Sequence, residues 1–141
     1  VKALFDTSVL MAAVREADQR HEVSYKLLMQ FAPREASCAA HSLAELYAAL
    51  TGMRPPNRLR PEQAALIVDQ FKTNLDCIML SAEEVVHAIH RTAALKLPGG
   101  IIYDALHLAC ARKVQAERIY TWNVKHFQMV APDLADRIVT P

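Results

Sequence analysis

Apolar residues fall along this chain in two rhythms: short unbroken runs, and longer stretches with an apolar position every third or fourth residue. The first rhythm reads as buried strand and the second as helix. Residues 1–5 form the first run, and Asp6-Thr7-Ser8 is its exit turn, with Thr7 or Ser8 capping a helix over residues 9–14. Val23, Leu27, Leu28 and Phe31 then repeat at helical spacing, and Pro33 closes that helix. Residues 36–40 predict a strand of weak propensity, since alanine is a poor strand former. Helix resumes from Ser42 to about Leu50, and Gly52, Pro55 and Pro56 make residues 52–60 a loop. Pro61 suits a first helical turn, with Ala64, Ile67, Val68, Phe71 and Leu75 as the apolar face behind it. Residues 77–80 read as a third strand, and Ser81-x-x-Glu84 as the capping box of a helix carrying Val85, Val86, Ile89 and Ala93. Pro98-Gly99-Gly100 interrupts before a largely apolar helix, or an extended approach and a helix, from Ile101 to about Gln115. Residues 118–122 predict a fourth strand, and Ile138-Val139 a small fifth.

Strands alternating with helices imply parallel βαβ units. The expected fold is α/β: a single three-layer domain over residues 1–141, with a short, mostly parallel central sheet of four to five strands flanked by helices. Composition agrees. A chain of 141 residues that is 52% hydrophobic and 22% charged has the core of a folded domain and not the make-up of a disordered one. Its net charge of +1 says nothing about a nucleic-acid partner, so any basic surface has to come from the distribution of charge. Cys38, Cys77 and Cys110 are odd in number, widely spaced and set among apolar neighbours. They argue against a thiolate zinc site or a disulfide framework and predict buried, reduced thiols. No basic leader with a long apolar run opens the sequence, and no run reaches membrane-spanning length. The expectation is a soluble, cytoplasmic protein with no membrane partner.

Candidate chemistry concentrates where apolar segments meet helices. Asp6, Glu45, Asp104 and Asn123 each stand just after such a segment or at the start of the helix beyond it. In a parallel sheet the carboxyl ends of the strands share one edge, where ligand sites form. Carboxylates gathered there repel unless a cation joins them, and oxygen donors suit Mg²⁺ or Mn²⁺. Each residue also has a structural explanation. Asp6 suits a turn or a helix cap, and Ser42-x-x-Glu45 reads as a capping box. Asp104 is favoured by a helix dipole, and Asn123 by a turn. Among the histidines, His87 and His90 read as helix surface and His107 as packing. Trp122 reads as core, with base stacking the alternative.

Four blocks change that balance when taken together: Leu4-Phe5-Asp6-Thr7-Ser8-Val9-Leu10, then Ser42-Leu43-Ala44-Glu45-Leu46. Residues 100–109, Gly-Ile-Ile-Tyr-Asp-Ala-Leu-His-Leu-Ala, follow, and then Thr121-Trp122-Asn123-Val124-Lys125-His126-Phe127. In this order, over nearly the whole chain, they resemble the PIN-domain nucleases, and in particular the VapC-type ribonuclease toxins of toxin–antitoxin pairs. The resemblance implies a PIN-like domain in which Asp6, Glu45 and Asp104 hold Mg²⁺ or Mn²⁺. Asn123 stands at a fourth position that is often aspartate, so it acts as a neutral ligand or through water, and His126 also replaces a frequent acid. Ser8 and Thr121 match hydroxyl residues that orient ligands or water. The implied reaction is metal-dependent hydrolysis of RNA phosphodiesters. The implied partners are RNA, a small VapB-type antitoxin and a second copy of the chain. Arg54, Arg58 and Arg60 are the candidates for RNA contacts, because arginine suits phosphate. Two other readings stand beside it. One is a PIN-like binding module weakened by Asn123. The other is a haloacid-dehalogenase-type phosphotransferase, which wants an acid where Ser8 stands.

Overall fold

The central sheet is built from Ala3–Phe5 (β1), Ala36–Ala39 (β2), Asp76–Ile78 (β3), Arg118–Tyr120 (β4) and Ile138–Val139 (β5). The order is β3-β2-β1-β4-β5, and every pairing is parallel. The computed structural model describes residues 2–141; Val1, the expected opening residue of β1, lies outside the described residues. The helices are Thr7–Val14 (α1), His21–Leu28 (α2), Ala40–Thr51 (α3), Pro61–Asn74 (α4), Ala82–Ala94 (α5), Ile101–Lys113 (α6) and Val124–Val130 (α7). A 3₁₀ turn at Pro132–Arg137 leads into β5.

Alternation along β1 assigns the layers, because successive strand side chains face opposite ways. Ala3 and Phe5 pack with Val9 and Leu10 of α1, Leu28 of α2, Leu46 and Leu50 of α3 and Ala64 of α4. Leu4 faces the other way, onto Ala105 and Leu108 of α6 and Phe127 of α7. The sheet is therefore covered on both faces, as an all-parallel sheet must be. From β1 the chain winds to β2 and β3 in one direction, then crosses back over β1 to β4. The reversal opens a topological switch point between β1 and β4 at the carboxyl edge.

Several boundaries differ from the sequence expectation. Residue 6, and not Thr7 or Ser8, caps α1: Asp6 Oδ1 accepts from the Val9 amide at 3.2 Å. α2 ends at Leu28, short of Pro33, because the amides of Gln30 and Phe31 turn back onto Leu27 and Leu28. Phe31 then packs edge-on against Phe5. β2 runs straight into α3, which begins at Ala40 with no side-chain cap. Ser42 and Glu45 consequently lie inside the helix, and the capping box expected of them does not form. The one at Ser81 and Glu84 does, with both reciprocal bonds, at 2.8 and 3.1 Å. β4 stops at Tyr120, since Ser8 Oγ takes the Trp122 amide at 3.0 Å and Thr121 Oγ1 takes that of Asn123 at 2.9 Å. The three thiols are free, but Cys77 is only half-buried and sits 3.8 Å from Cys38 across the β2–β3 pair.

Candidate metal centre

Asp6 is fixed at the switch point from both strands that form it. Its amide donates to the Tyr120 carbonyl at 3.1 Å, and its Oδ2 accepts from Thr121 Oγ1 at 2.7 Å. Ser8 Oγ donates to Oδ1 at 2.6 Å, and the same Ser8 oxygen accepts from the Trp122 amide. The carboxylate is thereby clamped between the exits of β1 and β4, 3% exposed. Burial pushes its pKa up, against the pull of Ser8, the nearby His107, Thr121 and the Val9 amide. Three donors leave a lone pair on Oδ2, because that oxygen accepts only from Thr121.

α6 brings Asp104 and His107 to the same edge, three residues apart on one helix face. Burial raises the Asp104 carboxyl; His107 and His126 pull it down, whereas Asp6 and Glu45 push it further up. Asp104 is thus within electrostatic reach of both other acids that the sequence singled out. α3 supplies Glu45 to the cluster and, one turn earlier, His41. Glu45 Oε1 lies 3.1 Å from His41 Nε2 and 3.3 Å from His107 Nε2. Partial burial would raise this carboxyl, but the two imidazoles hold it down, at about 2. Neither close approach is aligned as a hydrogen bond, so Glu45 Oε1 and His41 Nε2 are buried atoms without a hydrogen-bond partner. His107 is 3% exposed; its Nδ1 is 3.4 Å from Ser42 Oγ, and its ring lies against Phe127.

The histidine readings therefore change. His107 is a polar partner of Glu45, not only a packing residue, because the absent capping box turns Ser42 and Glu45 toward α6. His41 was not legible as a site residue until α3 was seen to begin at Ala40; its only signal is the i, i+4 spacing to Glu45. Asn123 precedes α7 with its side chain exposed and making no capping bond. Arg54, Arg58 and Arg60 are exposed in the α3–α4 loop, where Arg58 Nε donates to the Met53 carbonyl. Among the described residues, none of the three arginines pairs with an acid of the site. Trp122 packs on the core; its Nε1 donates to Ser24 and Arg20 lies over its ring.

An edge at a parallel-sheet switch point that carries acids from three separate parts of the chain is where an α/β fold forms a ligand site. The donor set fits a hard cation: clustered carboxylates with raised pKa values at Asp6 and Asp104, and an orphaned oxygen at Glu45. Residues 3–131 match the PIN domain family, and the chain belongs to that family. Within it the chain is of the VapC type. It is 34% identical over 113 residues to ribonuclease VapC27 of Mycobacterium tuberculosis, covering 79% of this chain and 78% of that protein. Two solved structures share the fold. VapC20 of Mycobacterium tuberculosis, described as a Sarcin-Ricin loop cleaving toxin, superposes with a TM-score of 0.71 at 20% identity, over 89% of this chain and 92% of its own. VapBC-1 from nontypeable Haemophilus influenzae gives 0.70 at 18% identity, over 99% and 98%.

Proposed function

We propose that this chain is a divalent-metal-dependent endoribonuclease, the toxin of a toxin–antitoxin pair. The observation that carries the reading is Asp6, buried at the β1–β4 switch point, bonded to Thr121 and within electrostatic reach of Asp104. The 34% identity to a protein named as a ribonuclease supports the activity. Asp6, Glu45 and Asp104 would hold Mg²⁺ or Mn²⁺, with the Asn123 amide oxygen as a neutral fourth donor. When bound, such an ion supplies Lewis-acid polarisation of the phosphate, lowers the pKa of a water nucleophile and offsets the negative charge of the RNA. The chain's own residues do the positioning. Ser8 and Thr121 lock both Asp6 oxygens, so the lone pair on Oδ2 points from a fixed carboxylate. Arg54, Arg58 and Arg60, exposed on one loop, are proposed to take up RNA phosphates beyond the scissile bond.

The test is incubation of the purified, metal-stripped protein with RNA, with and without Mg²⁺ or Mn²⁺. Cleavage that requires the ion supports the reading. Metal-independent RNA binding without cleavage favours the second reading, a weakened binding module, for which the uncharged, exposed Asn123 is the specific observation.

The proposed partners are a VapB-type antitoxin and a second copy of the chain. Tyr25 of α2 and Met29, just past its end, are exposed and line a cavity of about 210 Å³ together with Leu28, Phe31 and Phe71. An amphipathic antitoxin segment suits such a groove. Leu46 and Leu50 of α3 add nothing to this surface, because both are buried in the core. Among the described residues no helix is long and apolar enough to cross a membrane; a cytoplasmic location remains part of the proposal.

A further inference from the structure

We infer that His41, Glu45 and His107 form a separate site for a borderline divalent cation, Zn²⁺ foremost, beside the oxygen-donor centre and sharing Glu45 with it. Among the described residues, this is the group of three side chains whose ligand atoms all lie within 4.8 Å of one another. A tetrahedral ion with bonds of about 2.0–2.1 Å keeps its ligand atoms roughly 3.3 Å apart. The Nε2–Oε1 separations of 3.1 and 3.3 Å match that edge length. Neither approach has the alignment of a good hydrogen bond, and Glu45 Oε1 and His41 Nε2 are both buried. Leaving them so is costly unless something else satisfies them.

The surroundings agree with a ligand role. His107 Nδ1 faces Ser42 Oγ at 3.4 Å, a partner that can accept from Nδ1 and so is compatible with an Nε2 lone pair free for a metal. Packing between Phe127 and His41 fixes the same ring, with centroids 6.1 and 4.4 Å away. His41 and Glu45 are partly exposed, at 29% and 39% of their side chains, although the facing Nε2 and Oε1 atoms are themselves buried, so an ion would enter past these two side chains. Two imidazoles and one carboxylate select zinc or a neighbouring transition ion over Mg²⁺, which takes oxygen ligands and keeps its waters. Occupancy here would draw Glu45 away from the oxygen-donor centre. That consequence, inhibition by Zn²⁺, rests on the nuclease reading; the binding site itself does not.

The experiment is calorimetric titration of metal-stripped protein with Zn²⁺, followed by Co²⁺ titration read by visible absorption. Wild type should bind one Zn²⁺ with higher affinity than Mg²⁺, and Co²⁺ should show the intense bands of a low-coordinate site. His41→Ala, at a partly exposed position, should weaken Zn²⁺ at least tenfold and abolish the Co²⁺ bands, while its thermal melting in chelator stays near wild type and its Mg²⁺ affinity stays within about threefold. His107→Gln should also weaken Zn²⁺. Undiminished Zn²⁺ affinity in His41→Ala overturns the site, as does loss of the bound Zn²⁺ on replacing the exposed His87 and His90 instead. With RNA and saturating Mg²⁺, Zn²⁺ should inhibit wild type and inhibit His41→Ala at least tenfold less. If no metal supports cleavage in any variant, the nuclease reading fails, and the titrations still decide the zinc site.

Discussion

At the scale of single residues, Asp6 performs two jobs that pull in opposite directions. As a cap it accepts from the Val9 amide, and as a buried acid it loses solvation. Asparagine caps a helix as well as aspartate does and carries no charge. Asp6→Asn should therefore leave the metal-free protein as stable as wild type or more so, by thermal melting in chelator, yet reduce metal-dependent RNA cleavage by at least a hundredfold. Asp104→Asn should behave in the same way, since removing it also relieves repulsion with Asp6 and Glu45. Wild-type cleavage rates in either variant would defeat the assignment. Asn123→Asp should keep activity and tighten Mn²⁺ binding in calorimetry. Asn123 precedes α7, so the added charge also suits the helix dipole. Weaker Mn²⁺ binding in that variant would remove Asn123 from the centre.

At the scale of elements, α5 and α6 are held by named contacts whose loss is measurable. Ser81 and Glu84 cap α5 reciprocally, and Glu84 also pairs with Lys113 at the end of α6 at 2.8 Å. Ser81→Ala should cost about 1 kcal/mol in denaturant unfolding, the usual worth of an N-cap, with RNA cleavage unaffected. A second tie joins α6 to the 3₁₀ turn: Arg112 grips Asp133 with both terminal nitrogens, at 2.6 and 2.8 Å. Arg112 holds the Asp133 carboxyl down at about 2. A depressed acid stabilises the fold above its unfolded pKa, and that stability is lost as pH falls through the folded value. The contribution should thus be complete at pH 6 and disappear between about pH 4 and pH 2. Because Asp133 is half exposed, it amounts to about 0.5–1 kcal/mol. The stability difference between wild type and Asp133→Asn, followed by denaturation against pH, should shrink over that window; a constant difference would mean the pair is screened out.

At the scale of the whole molecule, two hydrophobic clusters are divided by the sheet. Leu46 is wholly buried in the same cluster as Phe5 of β1, next to Glu45 on α3 and turned about 100° from it around the helix. Leu46→Ala should cost about 2–5 kcal/mol, and by loosening α3 it should reduce cleavage as well. Assembly belongs to this scale too. The isolated protein should scatter light as a homodimer at micromolar concentration, and co-expression with a neighbouring small antitoxin should yield a soluble complex without cleavage activity. A strict monomer, or an active complex, would count against the corresponding partner.

Sequence alone determined which segments are strand and which are helix, because strand and helix periodicity are local properties of apolar patterning. The β1–Asp6 junction, the α5 capping box and the order of βαβ units were all legible for that reason. Its four motif blocks also marked Asp6, Glu45 and Asp104 before any geometry was known. Tertiary structure decided what those residues face. A start for α3 two residues earlier than Ser42 rotated Ser42 and Glu45 out of a cap and toward α6, since each helical residue turns the face by about 100°. The same shift made His41 a neighbour of Glu45 and His107 its partner, across 62 residues of sequence between α3 and α6. No local pattern encodes such a meeting. It depends on where two helices end up after the chain crosses back over the sheet.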